Sequence, residues 1–337
     1  MAPGDQRMKR GLVIGKFMPL HKGHIALIDF ALQHCDDLIV LVSASYDEPI
    51  WGSQRLEWIK ETYKGNDKVR PWLLNYDEAV LPNTSASSEG VSRIWANYLQ
   101  KELPPVDIIF ASEPYGAYMG RFLNCESMIF DEPRKIVPVS ATQIREKPFA
   151  FWNFLADAAK PYFTKKICLL GTESTGKTTM AKRLAHHFHT VEVTEMARDI
   201  LGHTDQCTEG DLTRIAELQA QAINEKIKEA NKILFVDTDL NTTRSYSHFL
   251  FNKDLEVPEW VEAANHFDLY IYLDADAPYV QDGTRLNQAD RNKLDESHKQ
   301  ELANHGIHYV LIQGDSWDER FEKAGKAVVQ FIKTGAV

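Results

Sequence analysis

Short apolar runs recur along the first half of the chain, at Leu12 to Ile14, Leu38 to Val42, Ile108 to Phe110 and Ile136 to Val139, with longer amphipathic stretches between them. Runs of this kind are what the buried strands of a parallel sheet leave in a sequence, and the stretches between them fit crossover helices. The segment EKPFAFWNFLADAAKPYFTKK after Arg145 then places Pro148 and Pro161 around a short helix-like piece, and a fresh apolar run opens at Ile167. Prolines so placed punctuate elements rather than continue them, so a boundary is expected near residue 160, with domains over 1–160 and 161–337. The second half repeats the pattern, with expected strands at Ile167 to Leu170, Ile233 to Val236, Leu269 to Leu273 and Tyr309 to Ile312 and helical spacing over stretches such as Thr208 to Ala230. The fold class predicted is α/β, two doubly wound parallel-sheet domains. Both halves open with a strand running into a glycine loop, which we read as shared architecture rather than duplication.

Composition narrows this picture without redrawing it. A chain of 337 residues exceeds what one core usually organises, and 44% hydrophobic with 26% charged residues is ordinary for a folded enzyme. The formal charge of -10, with no local run of Lys and Arg, disfavours nucleic acid as a partner. Small anionic ligands stay open, because a few focused cations suffice to hold them. No apolar stretch approaches the ~20 residues that cross a bilayer, and Lys16 interrupts the run after the basic start, so a cytoplasmic protein without a membrane partner is expected. Cys35, Cys125, Cys168 and Cys207 lie far apart, which argues for reduced thiols rather than disulfides or a zinc site. PNTSASSEG, from Pro82 to Gly90, is the most loop-like stretch and reads equally as a flap over a ligand site or a solvated connection. Nothing sets the number of subunits, and a homo-oligomer stays open.

The first constellation is GKFMPLHKGH, where Gly15, Lys16 and Phe17 leave a buried strand and His21 and His24 precede a helix whose face carries Ile25, Ile28, Ala31 and Leu32. A strand end and a helix start at one point aim backbone N–H groups and a positive dipole end at an anion, and the histidines add donors suited to ATP phosphates. Downstream, VSATQIR supplies Ser140 and Gln143 in a capping-box pattern, so a second helix start presents Thr142 and Arg145. An Arg in the first turns of a helix opposes the dipole, which favours an anion beside Arg145. Trp51 and Trp95 stand near loops where a pyridine ring could stack, although core packing suits each of them as well. Arg55 and Glu113 occupy strand-end regions where open α/β sheets bind ligands. The long histidine string and the distant SxTxxR together resemble the nucleotidyltransferase superfamily, in the form of its nicotinamide mononucleotide adenylyltransferases. The resemblance implies a Rossmann-like domain in which a substrate phosphate attacks the α-phosphorus of ATP and His21, His24, Lys16 and Arg145 stabilise the phosphates.

The second constellation is GTESTGKTT, from Gly171 to Thr179, lying between the strand ICLL and the helix TMAKRLAHHF. It fits the P-loop in full: Gly171, Thr172, Glu173, Ser174, Thr175 and Gly176 wrap phosphate with backbone, Lys177 reaches the β and γ oxygens, Thr178 ligates Mg²⁺ and Thr179 closes the loop. FVDTD places Asp237 at a strand end and Asp239 two residues on, on the same strand face if the extended geometry continues, one for Mg²⁺ and one for a substrate hydroxyl. DGTR, with Asp282 and Arg285, and nearby Arg291 fit a cationic lid or, equally, solvated pairs with Asp290 and Asp295. In TEMARDIL, Glu195 and Arg198 are spaced to share a helix face, gripping ribose hydroxyls or each other.

Taken together, the adenylyltransferase string with GTESTGKTT, EMAR, FVDTD and DGTR resembles the bifunctional NadR family over residues 11 to 330. That resemblance implies ribosylnicotinamide kinase activity in a C-terminal P-loop domain, with Asp237 as proton acceptor. The chain would turn nicotinamide riboside and ATP into nicotinamide mononucleotide, and the N-terminal domain would adenylylate that product to NAD. Some members carry an N-terminal helix-turn-helix, and the roughly ten residues before the first strand are too few for its three helices, so operator binding is not expected. Two alternatives remain, a nucleotidyltransferase and kinase acting on another phosphorylated metabolite, and a sensor that binds ATP or NAD without turnover.

Overall fold

The structure, a computed structural model, describes residues 8–83, 86–200, 207–276 and 288–334. The chain divides into two compact units, Met1–Tyr162 and Phe163–Val337.

The first unit alternates strands β1 (Arg10–Gly15), β2 (Asp37–Ser45), β3 (Val69–Tyr76), β4 (Ile108–Ala111) and β5 (Glu126–Ile129) with helices α1 (Lys22–Leu32), α2 (Gly52–Thr62), α3 (Glu89–Glu102), α4 (Tyr115–Leu123) and α5 (Ala141–Glu146), and the short α6 (Lys160–Phe163) spans the division between the units. Among the described residues its sheet runs β3-β2-β1-β4-β5, parallel throughout. All nine residues of β2 are buried, as a strand covered by helices on both faces requires. The chain lays down β1 to β3 towards one edge and returns to add β4 and β5 beyond β1. Where the order reverses, the connections leave β1 and β4 in opposite directions and open a crevice at their C-terminal ends. The expected strand at Ile136 to Val139 does not form. Ile136 is exposed at 62% and Pro138 lacks an N–H to donate, while the less apolar ESMI takes the edge as β5.

The second unit contains β6 (Lys165–Leu170), α7 (Lys177–His187), β7 (Val191–Val193), α8 (Ala197–Ile200), α9 (Glu209–Lys226), β8 (Ile233–Asp237), α10 (Leu240–Phe251), α11 (Glu259–Ala264), β9 (Leu269–Leu273), α12 (Gln288–Asn304), β10 (Val310–Ile312) and α13 (Trp317–Thr334). Its described strands are again all parallel, in the order β10-β9-β6-β8-β7. The order reverses at β6, whose C-terminal end therefore opens between β8 and β9. Thr208 caps α9 through a complete capping box with Asp211. Ile167, Leu169, Phe235, Ile271 and Leu273 of the sheet pack with Met180, Leu184, Val328 and Phe331 of α7 and α13 as one core.

Candidate functional site

In the first unit, the loop leaving β1 delivers both histidines to the head of α1. His21 is the N-cap, and its Nδ1 accepts the N–H of Gly23 at 3.1 Å. An accepting Nδ1 carries no proton, so the neutral ring holds its proton on Nε2. The His24 ring stacks on His21 with centroids 3.7 Å apart, and Phe17 meets His24 edge-on at 5.0 Å. The Nδ1 of His24 is buried without a hydrogen-bond partner, a vacancy uncommon for a buried polar atom. Burial, reinforced by Arg134, lowers the His21 pKa to about 4. Burial, then His21 and Arg134, hold His24 well below its ordinary value too. Both rings are thus neutral near pH 7 and offer N–H dipoles rather than charge.

Three cations belong to, or bind, the loop that carries this pair. Lys16 Nζ lies 2.6 Å from Glu48 Oε1, and Arg55 binds Oε2 of the same carboxylate at 2.6 Å. Arg55 is fully buried and also donates to the carbonyl of Lys16 at 2.9 Å. Its expected place as a pyridine-nucleotide contact is therefore corrected: with its donors engaged and no surface exposed, it acts on the site by fixing the Lys16 loop. Arg145 donates to the Met18 carbonyl and, at 3.2 Å, to Thr142 Oγ1, which joins SATQIR to GKFMPLHKGH. The capping box between Ser140 and Gln143 is present. Helix α5 has only six residues, however, and Arg145 stands in its last turn, so the dipole conflict expected there does not arise.

The remaining candidates of this unit separate. Trp51 is the N-cap of α2 and is 74% exposed. Trp95 donates its Nε1 to the Pro82 carbonyl at 3.0 Å and packs edge-on against Tyr76, which makes it a core residue. Glu113 pairs with Arg134 at 3.2 Å. Ser87 Oγ accepts the Tyr115 N–H at 3.2 Å, so the Pro82 to Gly90 segment is tied to the body at both ends.

In the second unit the P-loop has the backbone its glycines permit. Gly171 has φ +137°, and a Cβ there would lie 2.5 Å from the Leu273 carbonyl oxygen. Gly176 has φ +84°, and its Cβ would fall 1.8 Å from the Trp317 ring. Only glycine fits both constraints. Lys177 Nζ donates to the carbonyls of Gly171 and Thr172, at 2.8 and 3.1 Å, and Thr175 Oγ1 donates to Thr172 O at 2.8 Å. Thr178 Oγ1 donates to Asp237 Oδ2 at 2.5 Å, bringing two hard oxygen donors together beside the loop. Glu173 accepts the Tyr246 hydroxyl at 3.2 Å, Ser174 takes a left-handed φ of +62°, and Thr179 is exposed on α7.

Three expectations change here. Thr238 has φ +67°, so the extended run stops at Asp237 and Asp239 does not continue the same strand face. Asp239 instead caps α10, accepting from the Thr242 N–H at 2.9 Å and from Asn241 Nδ2 at 2.6 Å while burial pushes its pKa up. Glu195 precedes α8 rather than lying within it, so it shares no helix face with Arg198. Arg291 is 2% exposed and donates to the Glu173 carbonyl at 2.9 Å, bracing the P-loop rather than closing over it. The Arg198 side chain, Asp282 and Arg285 lie outside the described residues.

Sequence reasoning missed Glu48, Arg134, Gln219 and Trp317. Gln219 accepts from the Met196 N–H at 3.0 Å and donates to the Asp237 carbonyl at 3.1 Å, linking the EMAR turn to the end of β8. None of the four stands in a recognisable string, and a charged residue's burial is not written in its neighbours. Among the described residues no cluster of three or more His, Cys, Asp or Glu is arranged to hold a metal, and no helix is long and apolar enough to cross a membrane.

Residues 12–147 match the cytidylyltransferase-like family model, and residues 166–320 match the AAA domain model. The chain is 31% identical to the trifunctional NAD biosynthesis/regulator protein NadR of Escherichia coli over 97% of its length and 84% of that protein. Its identity to the Salmonella typhimurium protein of the same description is 30%, over 96% and 83%. Among solved structures, a NadR protein in complex with NR superposes with a TM-score of 0.77 at 22% identity, covering 96% of each chain, which supports the same two-unit fold. The chain belongs to the NadR family.

Proposed function

We propose that this chain makes NAD in two transfers from ATP. The second unit phosphorylates nicotinamide riboside to nicotinamide mononucleotide, leaving ADP, and the first unit adenylylates that product, leaving pyrophosphate. The observation that carries this reading is that two separate phosphate grips occur in one chain, Lys177 and Thr178 beside Asp237 at the end of β6, and the His21–His24 stack joined to Arg145 at the end of β1. The Escherichia coli and Salmonella typhimurium relatives are described as trifunctional NAD biosynthesis/regulator proteins, which supports this reading.

In the first unit the nucleophile is a phosphate oxygen already ionised at neutral pH, so no general base is needed and positioning with electrostatic stabilisation suffices. The Nε2–H of His21, His24, Lys16, Thr142 and Arg145 are the groups we assign to the ATP phosphates. Neutral imidazoles fit the task, since they donate hydrogen bonds as charge moves onto the departing pyrophosphate while the cations supply the field. Trp51, 74% exposed, is the aromatic we assign to the pyridine ring.

In the second unit the riboside hydroxyl attacks the γ-phosphorus, its proton leaves, and ADP departs. Asp237 is the acceptor we assign, because Asp239 is occupied in capping α10. Thr178 and Asp237 also suit Mg²⁺, a hard cation that takes oxygen donors, and when bound it would neutralise charge between the β and γ phosphates. Glu195 and Arg198 are assigned to the riboside and Arg285 to the γ-phosphate.

Exchanging the two sites tests this. Lys177→Ala is expected to abolish ADP formation from the riboside while NAD still forms from supplied mononucleotide, and His24→Ala to do the reverse. Loss of both activities in either folded variant refutes separate sites.

A further inference from the structure

The polyphosphate of ATP brings about four negative charges, yet the cations at the first site are engaged. Lys16 is held by the largely buried Glu48, and Arg145 by the Met18 carbonyl and Thr142. Arg134 is held differently. Its bond to Glu113 is 3.2 Å long between side chains 49% and 48% exposed, a pairing that solvent and a stronger anion can replace at little cost. Its loop is nonetheless shaped: Arg134 stands at φ +51° with its N–H on the Asp131 carbonyl at 2.8 Å, and Asp131 Oδ1 and Oδ2 accept the N–H groups of Lys135 and Ile136 at 2.8 and 2.9 Å. Three residues on, Val137 faces the first turn of α1, since a Cβ built on Gly23 would lie 3.7 Å from the Val137 Cβ. The charge of Arg134 also adds, after burial, to what holds both histidines neutral.

We propose that Arg134 is a phosphate-binding residue of the adenylyltransferase site, parked on Glu113 until the polyphosphate of ATP takes its guanidinium over. This rests on the adenylyltransferase reading of the first unit. Glu113 on this view competes with substrate for one cation, so removing its charge tightens the site.

The test uses the full chain, supplied nicotinamide mononucleotide and initial rates of NAD formation, with inorganic tripolyphosphate as inhibitor competing with ATP. Arg134→Ala is expected to raise both the KM for ATP and the tripolyphosphate inhibition constant by about tenfold or more, the scale of one charge-assisted phosphate contact, and Arg134→Lys to recover part of the loss. Glu113→Gln is expected to lower the inhibition constant by about two- to fivefold, as release of an exposed ion pair allows, and to do so only while Arg134 is present. A merely structural pair would not tighten anion binding when broken. The proposal is overturned if Arg134→Ala leaves the inhibition constant unchanged, or if Glu113→Gln weakens or does not alter it. Should Arg134→Ala fail to fold, the sign of the Glu113→Gln effect decides alone. Failure of the unaltered chain to form NAD from the mononucleotide would refute the adenylyltransferase reading itself, and the proposal with it.

Discussion

Replacing Arg55 by methionine keeps most of the side-chain volume of a fully buried residue while deleting the guanidinium that binds Glu48 at 2.6 Å and the Lys16 carbonyl at 2.9 Å. Removing one partner of a buried ion pair costs roughly 3–5 kcal/mol, because the charge left behind has lost both water and its counterion. Glu48 retains Lys16 at 2.6 Å, and that lysine is 34% exposed, so the lower end, about 3 kcal/mol, applies. For a unit of this size each kcal/mol moves the midpoint by about 2–4 °C, giving a fall of roughly 6–12 °C in the first unit's unfolding transition. Adenylyl transfer should fall with it as the Lys16 loop loosens, while riboside phosphorylation holds. Calorimetry on the full chain gives the transition. The decisive comparison adds Glu48→Gln, which removes the stranded charge: the double variant should be more stable than Arg55→Met alone. An unchanged midpoint in Arg55→Met, or a double variant no better than the single, would refute the view that this arginine is a buried clamp.

Gly176→Ala should abolish kinase turnover and leave NAD formation from supplied mononucleotide intact, since the new Cβ meets both a left-handed φ of +84° and the Trp317 ring 1.8 Å away; paired activity assays check it. Acid should weaken the first unit in a defined window. The folded-state pKa of His21 is lowered from 6.5 to about 4, so the unfolded chain takes up its proton first, and the stability present above pH 6.5 is lost as pH falls towards 4. The slope is about 1.4 kcal/mol per pH unit for each such histidine. His21→Asn, which keeps an N-cap but cannot titrate, should flatten that slope in denaturant titrations at pH 4.5 to 7, and an unchanged slope would contradict the buried neutral ring.

The parts of the molecule most legible in the sequence are those where chemistry dictates spacing. The P-loop announces itself because a backbone that wraps phosphate needs glycine at Gly171 and Gly176 and then Lys177 and Thr178 in fixed order, and the capping box at Ser140 and Gln143 is a purely local device. Central strands such as β2 and β8 read clearly because burial on both faces leaves unbroken apolar runs. Of the four edge strands described, only β10 was legible, at Tyr309 to Ile312. Strand β3 contains Pro71 and leaves Trp72 39% exposed, β7 has three residues, and β5 carries Glu126 and Ser127, so none offers such a run. The supporting residues were illegible for a different reason. Glu48 and Arg55 are surface-type residues by composition, and only the crossing of β2, α2 and the β1 loop buries them together. Asp239 misled because one left-handed residue, Thr238, turns a strand pattern into a helix cap.

The most direct test of two cooperating phosphate-transfer sites is a product balance with nicotinamide riboside as the sole pyridine source, ATP in excess and Mg²⁺ present. The account predicts NAD accompanied by one ADP and one pyrophosphate for each molecule formed, with mononucleotide accumulating in place of NAD when His24 is replaced by alanine. Absence of ADP and pyrophosphate, or NAD appearing without both in equal amounts, would contradict it.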